Sequence, residues 1–416
     1  MSTVASAFLS HSKADWQAWR VSEVADLLGQ FGILPWIDDT DLRGSGALDP
    51  KLGAAIKAQS HFVLFLSEGA TKSGWVRREV EAAIAHHGQK RIIIVVEQAQ
   101  KDARLKAVPG LAFALNLATQ PRFVWLDEPE KMAWELARVI LDDLAIHKAA
   151  AFGILLDQRG KGDRRNEEGM VRPPLLPTDA PMLVFRPDRG PRTEVTMEVG
   201  NHWEAFAHRL GRALATTMGA RSGGREAYLT GNAQLGLAWL VGRIIGSEKS
   251  LIRFHTHQPG EATLHHRWRR DLPPPAPDLD ACLDAQTVAS GGPAVVLGIG
   301  PLNTPYEKNA REWAAAQRPP LPVAWLQTAR WFYTQAEAEQ LLADTLASIE
   351  RLAGKVSTIY VVSCLTFHLT ALLAALAPAD GLGGLKLRFL DYRRDLPSGN
   401  PARMYAELQV PGESRA

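Results

Sequence analysis

Cysteine is scarce in this sequence. The 416 residues include only two, Cys282 and Cys364, and these lack the close spacing of a zinc-binding motif. No pair of histidines has metal-ligand spacing either. A disulfide-rich scaffold and a cysteine-based metal domain are therefore excluded. We expect no metal, and two reduced thiols in a cytoplasmic protein.

Long apolar runs and an excess of one charge are also missing. The longest apolar run near the end, Leu369 to Ala377, is shorter than the roughly 20 residues that span a bilayer, and Pro378 follows it. The first residues lack the basic segment and apolar run of a signal peptide. The formal net charge is only +2, which argues against binding of long nucleic acid. The sequence thus predicts neither a membrane nor a long nucleic acid as a partner.

The first part of the chain alternates apolar runs typical of strands with amphipathic segments typical of helices. Ile33–Ile37 and Arg91–Val96 are strand-like, and the second is almost entirely β-branched. Ala14–Gln30 and Glu130–His147 have apolar residues at helical spacing. Apolar strands separated by helices predict an α/β domain with a five-stranded parallel, doubly wound sheet. We place this domain at residues 1–148.

The rest of the chain shows a repeated pattern beyond a polar, proline-containing stretch at 158–177. A strand from Glu226 runs through the turn Thr230–Asn232 into a helix and a second strand. A strand from Thr358 runs through the turn Ser363–Thr366 into the same two elements. We therefore predict an internal duplication of a Rossmann-like unit over 152–416, with halves at 152–280 and 281–416. A further strand and helix are expected in each half: Met182–Phe185 with Trp203–Met218, and Ala294–Ile299 with Tyr306–Gln317.

Four motifs follow one another in residues 5–81. They are Ala7-Phe8-Leu9-Ser10-His11-Ser12, Trp36-Ile37-Asp38-Asp39 with the loop Thr40–Gly46, Phe62–Ser67, and Ser73-Gly74-Trp75 leading to Glu79. Together they resemble the TIR family, with its opening strand, BB loop, third strand and Trp-x-x-x-Glu helix. The resemblance covers the first domain and implies a flavodoxin-like fold.

The motif residues are expected to meet at one edge of the sheet. Ligands of open parallel α/β sheets bind beyond the carboxyl ends of the strands, and Ser10–Ser12, the Asp38–Gly46 loop and the start of the Trp75 helix belong to that edge. Trp75 and Glu79 are one helical turn apart and share a face. The core stripe of the helix lies beside that face. We therefore expect Glu79 to point off the core, toward the mouth of a cleft.

The TIR resemblance implies cleavage of NAD⁺, because enzymatic TIR proteins carry their glutamate where Glu79 stands. Breaking the nicotinamide–ribose bond builds oxocarbenium character on the ribose, and a carboxylate beside the ribose can stabilise that charge. Nicotinamide leaves as a neutral molecule and needs no general acid. The indole of Trp75 can contact a flat ring. The candidate NAD⁺-binding residues are Ser10, His11, Ser12, Asp38, Asp39, Arg43 and Trp75, and the BB-loop candidates for TIR–TIR assembly are Asp41, Leu42 and Gly44.

Structural interpretations of these residues stay open. On composition alone, a Trp and a Glu one turn apart are more often an anchor and a solvated charge. Asp38, Asp39 and Arg43 also suit a solvated turn, and His11 is equally suited to a packing role. Many TIR domains are only adaptors, although those generally lack the glutamate.

The duplicated halves resemble the SAVED domain, a fusion of two CARF-like units that binds cyclic oligonucleotides in bacterial anti-phage CBASS systems. Backbone N–H groups at helix N-termini bind phosphate readily, and aromatic side chains can stack on bases. Alternatives stay open here too: Asn232 and Ser363 suit plain helix N-caps, and 265–270 suits a solvated loop. The candidate ligand-binding residues are Thr230, Gly231, Asn232, Arg253, His255, Arg267, Trp268, Ser363, Thr366, Phe367, Tyr392 and Arg393.

Together, the two resemblances imply a cyclic-oligonucleotide-activated NAD⁺ glycohydrolase that acts as an anti-phage effector. Activation would proceed through ligand-induced oligomerisation or filament formation. NAD⁺ would be the substrate, with no permanently bound cofactor, and the family makes cyclic tri-adenylate the expected activator. The product, ADP-ribose or a cyclised form, stays open. Two alternatives remain: a non-enzymatic TIR signalling scaffold, and an enzyme whose sensor binds another nucleotide or a protein.

Overall fold

The structure is a computed structural model of the whole chain. It describes residues 4–37, 48–87, 91–107, 122–157, 172–173, 175–186, 201–218, 225–232, 235–247, 253–257, 264–265, 271–277, 293–328, 334–377, 385–392 and 405–408. The chain divides into two compact units, Met1–Glu194 with Arg212–Arg221, and Val195–Gly211 with Ser222–Ala416.

The first unit begins with the predicted α/β domain. Its five strands pair in the order β2-β1-β3-β4-β5, and every pairing is parallel. This confirms the predicted five-stranded parallel sheet. The elements are β1 (Ser6–Ser10), α1 (Asp15–Ala18), α2 (Val21–Gln30), β2 (Leu34–Trp36), α3 (Leu48–Ala58), β3 (His61–Phe65), α4 (Glu68–Lys72), α5 (Gly74–His87), β4 (Ile92–Val96), α6 (Lys101–Ala107), β5 (Arg122–Trp125) and α7 (Pro129–Asp143).

Burial on both faces of the sheet explains the composition of the central strands. All five residues of β4 are buried, and they are all Ile or Val, which pack well on a pleated surface. On one face, the ring of Phe8 stacks on Trp36 at 4.5 Å and on Phe62 at 5.5 Å. The stack connects the three neighbouring strands β2, β1 and β3.

Two further strands of the first unit, β6 (Ala151–Asp157) and β7 (Met182–Phe185), pair in parallel. The other side of β7 is hydrogen-bonded to the α/β domain. The N–H of Ala5 donates to the carbonyl of Met182 at 2.8 Å, and the N–H of Val184 donates to that of Gly32 at 3.0 Å. The α/β domain is therefore joined to β7 by backbone hydrogen bonds as well as by the covalent connection of the polypeptide. An apolar cluster fills the junction: Val4, Leu34, Leu155, Met182 and Val184.

Gly32→Ala is expected to weaken this junction. Gly32 has a φ of +84°, and a Cβ there would lie 2.9 Å from Cζ of Phe185. We expect a loss of about 1–3 kcal/mol in the free energy of unfolding, from left-handed backbone strain and overpacking. Gly29→Ala is the matched control, because its Cβ would lie 3.5 Å from Cβ of Arg186, an ordinary contact. Thermal denaturation of both variants checks this, and equal melting temperatures would contradict it.

The remaining elements complete two more sheets, with orders β10-β9-β8-β6-β7 and β12-β11-β13-β14-β15. Counted within each half, both have the order 2-1-3-4-5 with an antiparallel fifth strand. This confirms the predicted duplication of a Rossmann-like unit. The elements are α8 (Asn201–Met218), β8 (Glu226–Asn232), α9 (Leu235–Ser247), β9 (Arg253–His257), β10 (Leu264–His265), β11 (Ala294–Gly300), α10 (Pro305–Ala315), β12 (Val323–Gln327), α11 (Gln335–Ala353), β13 (Thr358–Ser363), α12 (Phe367–Leu376), β14 (Lys386–Tyr392) and β15 (Tyr405–Leu408).

The further strand and helix expected in each half are present, as β7 followed by α8 and as β11 followed by α10. By topology the two pairs are not equivalent, because β7 corresponds to β12 and α8 to α11, while β6 corresponds to β11. In the second half α10 follows the first strand, whereas the stretch after β6 in the first half is polar and proline-containing. The pattern of an amphipathic helix does not show which position in this order the helix takes.

In the second unit, the equivalent helices α9 and α12 pack against each other at very short range. A Cβ on Gly242 would lie 2.1 Å from the carbonyl oxygen of Ala371, and one on Gly246 would lie 2.2 Å from that of Ala375. Only glycine permits this approach. Nearby, Trp239 of α9 is fully buried and stacks on Phe389 of β14 at 5.0 Å. Among the described helices, none is long and apolar enough to span a bilayer.

Candidate functional site

The structure brings Ser10 and Glu79 together at the carboxyl edge of the first sheet. Ser10 is the last residue of β1, and its hydroxyl donates to Oε2 of Glu79, in the second turn of α5, at 2.5 Å. Both residues are 1% exposed. The expectation that Glu79 points toward an open cleft mouth is therefore corrected. Its carboxylate is covered, and Ser10 supplies a hydrogen bond that offsets the cost of burying it.

Trp75 lies one turn before Glu79 on α5. Its ring is partly buried and packs against the apolar core on this side of the sheet. The guanidinium of Arg78 lies 5.4 Å from the ring centre. The indole Nε1 is buried and has no hydrogen-bond partner among the described residues. Trp75 thus anchors the helix and leaves one buried donor unused.

The loop after β1 holds the other two predicted residues of this edge. His11 is 9% exposed, its Nδ1 lies 3.2 Å from the carbonyl oxygen of Leu9, and its ring lies 5.3 Å from that of Trp16. These contacts fit the packing role considered for His11. Ser12 is 8% exposed, and its hydroxyl has no hydrogen-bond partner among the described residues.

Two residues beside this loop were missed by the sequence analysis. Asp15 is 4% exposed, and its Oδ2 accepts the N–H of Ser12 at 3.1 Å and the hydroxyl of Ser67 at 2.5 Å. The available signal was local: Ser12 and Asp15 have the three-residue spacing of a side-chain cap. Ser67 ended the third TIR motif but had no assigned role.

The remaining predicted residues of this edge lie outside the described part of the chain: Asp38, Asp39, Asp41, Leu42, Arg43 and Gly44. The described residues at the edge supply the carboxylates of Glu79 and Asp15, several hydroxyls, an imidazole and an indole. Within the described part of the chain, no group of three or more His, Cys, Asp or Glu side chains could hold a metal ion. The side chains described at this edge can supply electrostatic stabilisation and hydrogen bonds.

The predicted polar turn of the first C-terminal half is strand. Thr230, Gly231 and Asn232 are the last three residues of β8, which extends further than the sequence pattern indicated. Asn232 is thus a strand residue, not the helix N-cap considered for it. Thr230 is fully buried, and its Oγ1 has no hydrogen-bond partner among the described residues. Gly231 has a φ of +153°.

In the equivalent turn of the second half, the helix N-cap is Thr366 and not Ser363, the residue considered for that role. Ser363 ends β13, and its hydroxyl is 2.9 Å from Oγ1 of Thr370 and accepts the N–H of Leu365. Thr366 is the N-cap of α12, without a side-chain cap bond. Phe367 begins α12 and is only 6% exposed. Its ring therefore belongs to the core and is not exposed for stacking on a base in this structure, and its part in ligand binding stays a prediction.

Arg253 and His255 lie away from the turn. Arg253 begins β9 opposite Glu226, whereas Thr230 lies opposite His257, so Arg253 is at the other end of these parallel strands. Its Nη1 is 3.8 Å from Oε1 of Glu226. His255 stacks on Tyr228 at 4.6 Å. Burial, aided by a hydrogen bond to Glu226, raises the pKa of Tyr228 to about 12. The sequence pattern predicts this strand over Ser250–His255, which puts Arg253 near its carboxyl end, whereas the observed strand begins at Arg253.

Tyr392 ends β14 opposite Tyr405 of β15. Arg267, Trp268 and Arg393 lie outside the described residues. In the first half, Thr230 and Gly231 therefore lie at the carboxyl edge of the sheet. In the second half, Ser363 and Thr366 lie at the corresponding edge.

Comparison with known proteins identifies the first domain. Residues 7–123 match the family described as TIR domain, so the N-terminal domain is a TIR domain. Over 137 residues the chain is 27% identical to the 2′ cyclic ADP-D-ribose synthase AbTIR of Acinetobacter baumannii, covering 32% of this chain and 49% of that protein. It is 26% identical over 114 residues to the 2′ cyclic ADP-D-ribose synthase BtTIR of Bacteroides thetaiotaomicron, covering 27% of this chain and 39% of that protein. The chain thus spans less than half the length of these relatives.

Solved structures aligned over nearly the whole chain include two of the Acinetobacter baumannii Cap4 SAVED/CARF-domain containing receptor. The receptor with the cyclic trinucleotide 3′3′3′-cAAA has a TM-score of 0.41 and 10% identity, covering 96% of this chain and 86% of that chain. The receptor with 2′3′3′-cAAA has a TM-score of 0.39, with the same identity and coverage.

Proposed function

We propose that this protein is an NAD⁺-cleaving TIR enzyme controlled by a cyclic oligonucleotide that binds its C-terminal region. In this proposal, residues 1–148 form the enzyme, and residues 152–416 form a SAVED-type sensor with halves 152–280 and 281–416. The protein would act in the cytoplasm as an anti-phage effector. The single observation that carries the enzymatic part is the hydrogen-bonded Ser10–Glu79 pair at the carboxyl edge of a TIR sheet.

Glu79 is proposed to stabilise the positive charge that develops on the ribose when the bond to nicotinamide breaks. Nicotinamide leaves as a neutral molecule with the electron pair of that bond, so no general acid is needed. A water molecule that attacks the ribose gives ADP-ribose, and attack by a ribose hydroxyl gives a cyclised product; in both cases the proton of the attacking group is released to solvent. The names of the two relatives support including 2′ cyclic ADP-D-ribose among the products. Ser10, His11, Ser12 and Trp75 are proposed to contribute to the NAD⁺ site, together with Asp38, Asp39 and Arg43.

The burial of Glu79 supports a switched enzyme. With only 1% of Glu79 exposed, a ribose reaches the carboxylate only after neighbouring segments move. We infer that activation produces this movement. Ligand-induced stacking of sensors would align TIR domains, and the BB-loop residues Asp41, Leu42 and Gly44 of one copy would help to complete the site of the next.

The duplicated sheets support the sensor part. Polar residues stand between the third strand and the next helix or at the end of that strand in each half: Thr230 and Asn232 in one, and Ser363 and Thr366 in the other. The buried hydroxyl of Thr230 has no partner among the described residues, and an unsatisfied buried polar group is costly unless a ligand completes it. Two such edges suit a ring with several phosphates, and we propose cyclic tri-adenylate.

A panel of cyclic di-, tri- and tetranucleotides tests this proposal. We expect one member to raise NAD⁺ loss by the full-length protein about a hundredfold, the change produced when an active state rises from about 1% to nearly full population. Light scattering on the same samples should show growth in mass with the rate. Full activity of a dilute monomer without any cyclic nucleotide would contradict the proposal.

A second candidate, a non-enzymatic TIR scaffold, is favoured by one observation. A glutamate that is covered and bonded to Ser10 also suits a purely structural carboxylate. In that case no cyclic nucleotide would produce NAD⁺ loss, although the protein would still change its mass on binding one. The rate and the mass measured together therefore separate the two candidates.

A further inference from the structure

One carboxylate oxygen joins two loops at the carboxyl edge of the TIR sheet. Oδ2 of Asp15 accepts the N–H of Ser12, from the loop after β1, at 3.1 Å. The same oxygen accepts the hydroxyl of Ser67, from the loop after β3, at 2.5 Å. The hydroxyl of Ser67 also accepts the N–H of Ala70 at 2.9 Å and so caps α4. Asp15 thus fixes the β1 loop to the start of α4, and we call this contact the Asp15–Ser67 clasp.

The clasp determines where the side chain of Ser12 lies. A Cβ on Gly69 would lie 2.6 Å from Oγ of Ser12, so the hydroxyl occupies space that only a glycine leaves free. This hydroxyl is buried without a hydrogen-bond partner among the described residues. Two residues earlier on the same loop, Ser10 donates to Glu79.

We propose that Asp15 is a positioning residue for NAD⁺ cleavage. This rests on the function proposed above. Asp15 does not touch the substrate. It holds the β1 loop so that Ser10 keeps Glu79 oriented and the unused hydroxyl of Ser12 faces a polar group of NAD⁺. Without the carboxylate, the buried donors of Ser12 and Ser67 lose their acceptor and the loop rearranges to satisfy them.

Asp143 provides a matched control in the same domain. It ends α7, its side chain is only 10% exposed, and it forms an ion pair with Arg122 of β5. Its Oδ2 also lies 3.4 Å from Nε2 of His61, which begins β3. Asp143 is thus a largely covered carboxylate that joins elements, as Asp15 does, but at the opposite edge of the sheet. A purely structural role would make the two residues equivalent in activity measurements.

The experiment measures KM and kcat for NAD⁺ in the activated full-length protein. We expect Asp15→Ala to raise KM by at least about tenfold, the value of one to two hydrogen bonds to a charged group, with a smaller change in kcat. Asp15→Asn, which keeps an acceptor oxygen, should recover most of the loss. Asp143→Ala should lower the melting temperature and leave KM at the parental value.

The outcomes separate this inference from the proposed function. If the parent cleaves NAD⁺ and Asp15→Ala has the KM of Asp143→Ala, the positioning role is overturned and the enzyme stands. A parent without NAD⁺ cleavage under any activator overturns both. If Asp15→Ala does not fold, Ser67→Ala takes its place, since it breaks the clasp from the other side. A parental KM in Ser67→Ala would then reject the inference.

Discussion

Glu79→Gln is expected to lower NAD⁺ cleavage by the activated protein by about 10²–10³-fold, the cost of removing one preorganised group that stabilises a transition-state charge. Glutamine has nearly the shape of glutamate and keeps an acceptor for the hydroxyl of Ser10, so the local packing should survive. What it lacks is the negative charge opposite the developing oxocarbenium ion. We therefore expect the loss in kcat, with little change in the melting temperature. Nicotinamide release, followed over time, measures the rate.

Glu81→Gln is the control for this variant. Glu81 lies two residues further along α5 and is exposed, so the same chemical change there removes a solvated charge only. Its rate should equal that of the parent. A parental rate in Glu79→Gln would show that Glu79 is not catalytic, even if the domain cleaves NAD⁺ by other means.

The TIR fold could be predicted because its strands are recognisable one by one. A strand such as Ile92–Val96, buried on both faces, has to be almost wholly apolar, and its helices have an apolar stripe at helical spacing. Because parallel strands end at one edge, the meeting of Ser10 and Glu79 also followed from the motif order. The burial of Glu79 could not be predicted in the same way, because the exposure of a side chain depends on which other segments cover it. The structure leaves only 1% of Glu79 exposed.

The C-terminal region shows what local patterns leave open. Its duplication was visible, but the match of strands between halves was not, because an amphipathic helix has the same pattern wherever it lies in the order. Arg253 was assigned to the ligand edge by a strand boundary a few residues too early, and boundaries are the least reliable part of such predictions. The bond between Asp15 and Ser67 joins residues 52 positions apart, and no local pattern specifies such a contact.

The second prediction with a large expected effect concerns the contact between α9 and α12. Gly242→Ala places a Cβ 2.1 Å from the carbonyl oxygen of Ala371 and 2.7 Å from Cβ of Ala374. The first is a backbone atom that cannot rotate away, so the helices must separate. Separation also disturbs the neighbouring hydrogen bond from Arg243 to the carbonyl of Ala377. We expect a loss of about 3 kcal/mol in the free energy of unfolding, at the upper end of overpacking costs.

Gly242→Ala should affect the response to ligand as well as stability. Because α9 and α12 are equivalent helices of the two halves, we expect the distance between them to set the spacing of Thr230 and Thr366, the polar residues that precede them. The melting transition is expected to fall by roughly 6–12 °C, and half-maximal activation should need more cyclic nucleotide at temperatures where the protein is still folded. Gly354→Ala is the control, since that glycine caps α11 with an ordinary φ of −74° and has open space around it. If Gly242→Ala melts and responds like Gly354→Ala, the close approach of the two helices does not set the geometry of the proposed sensor.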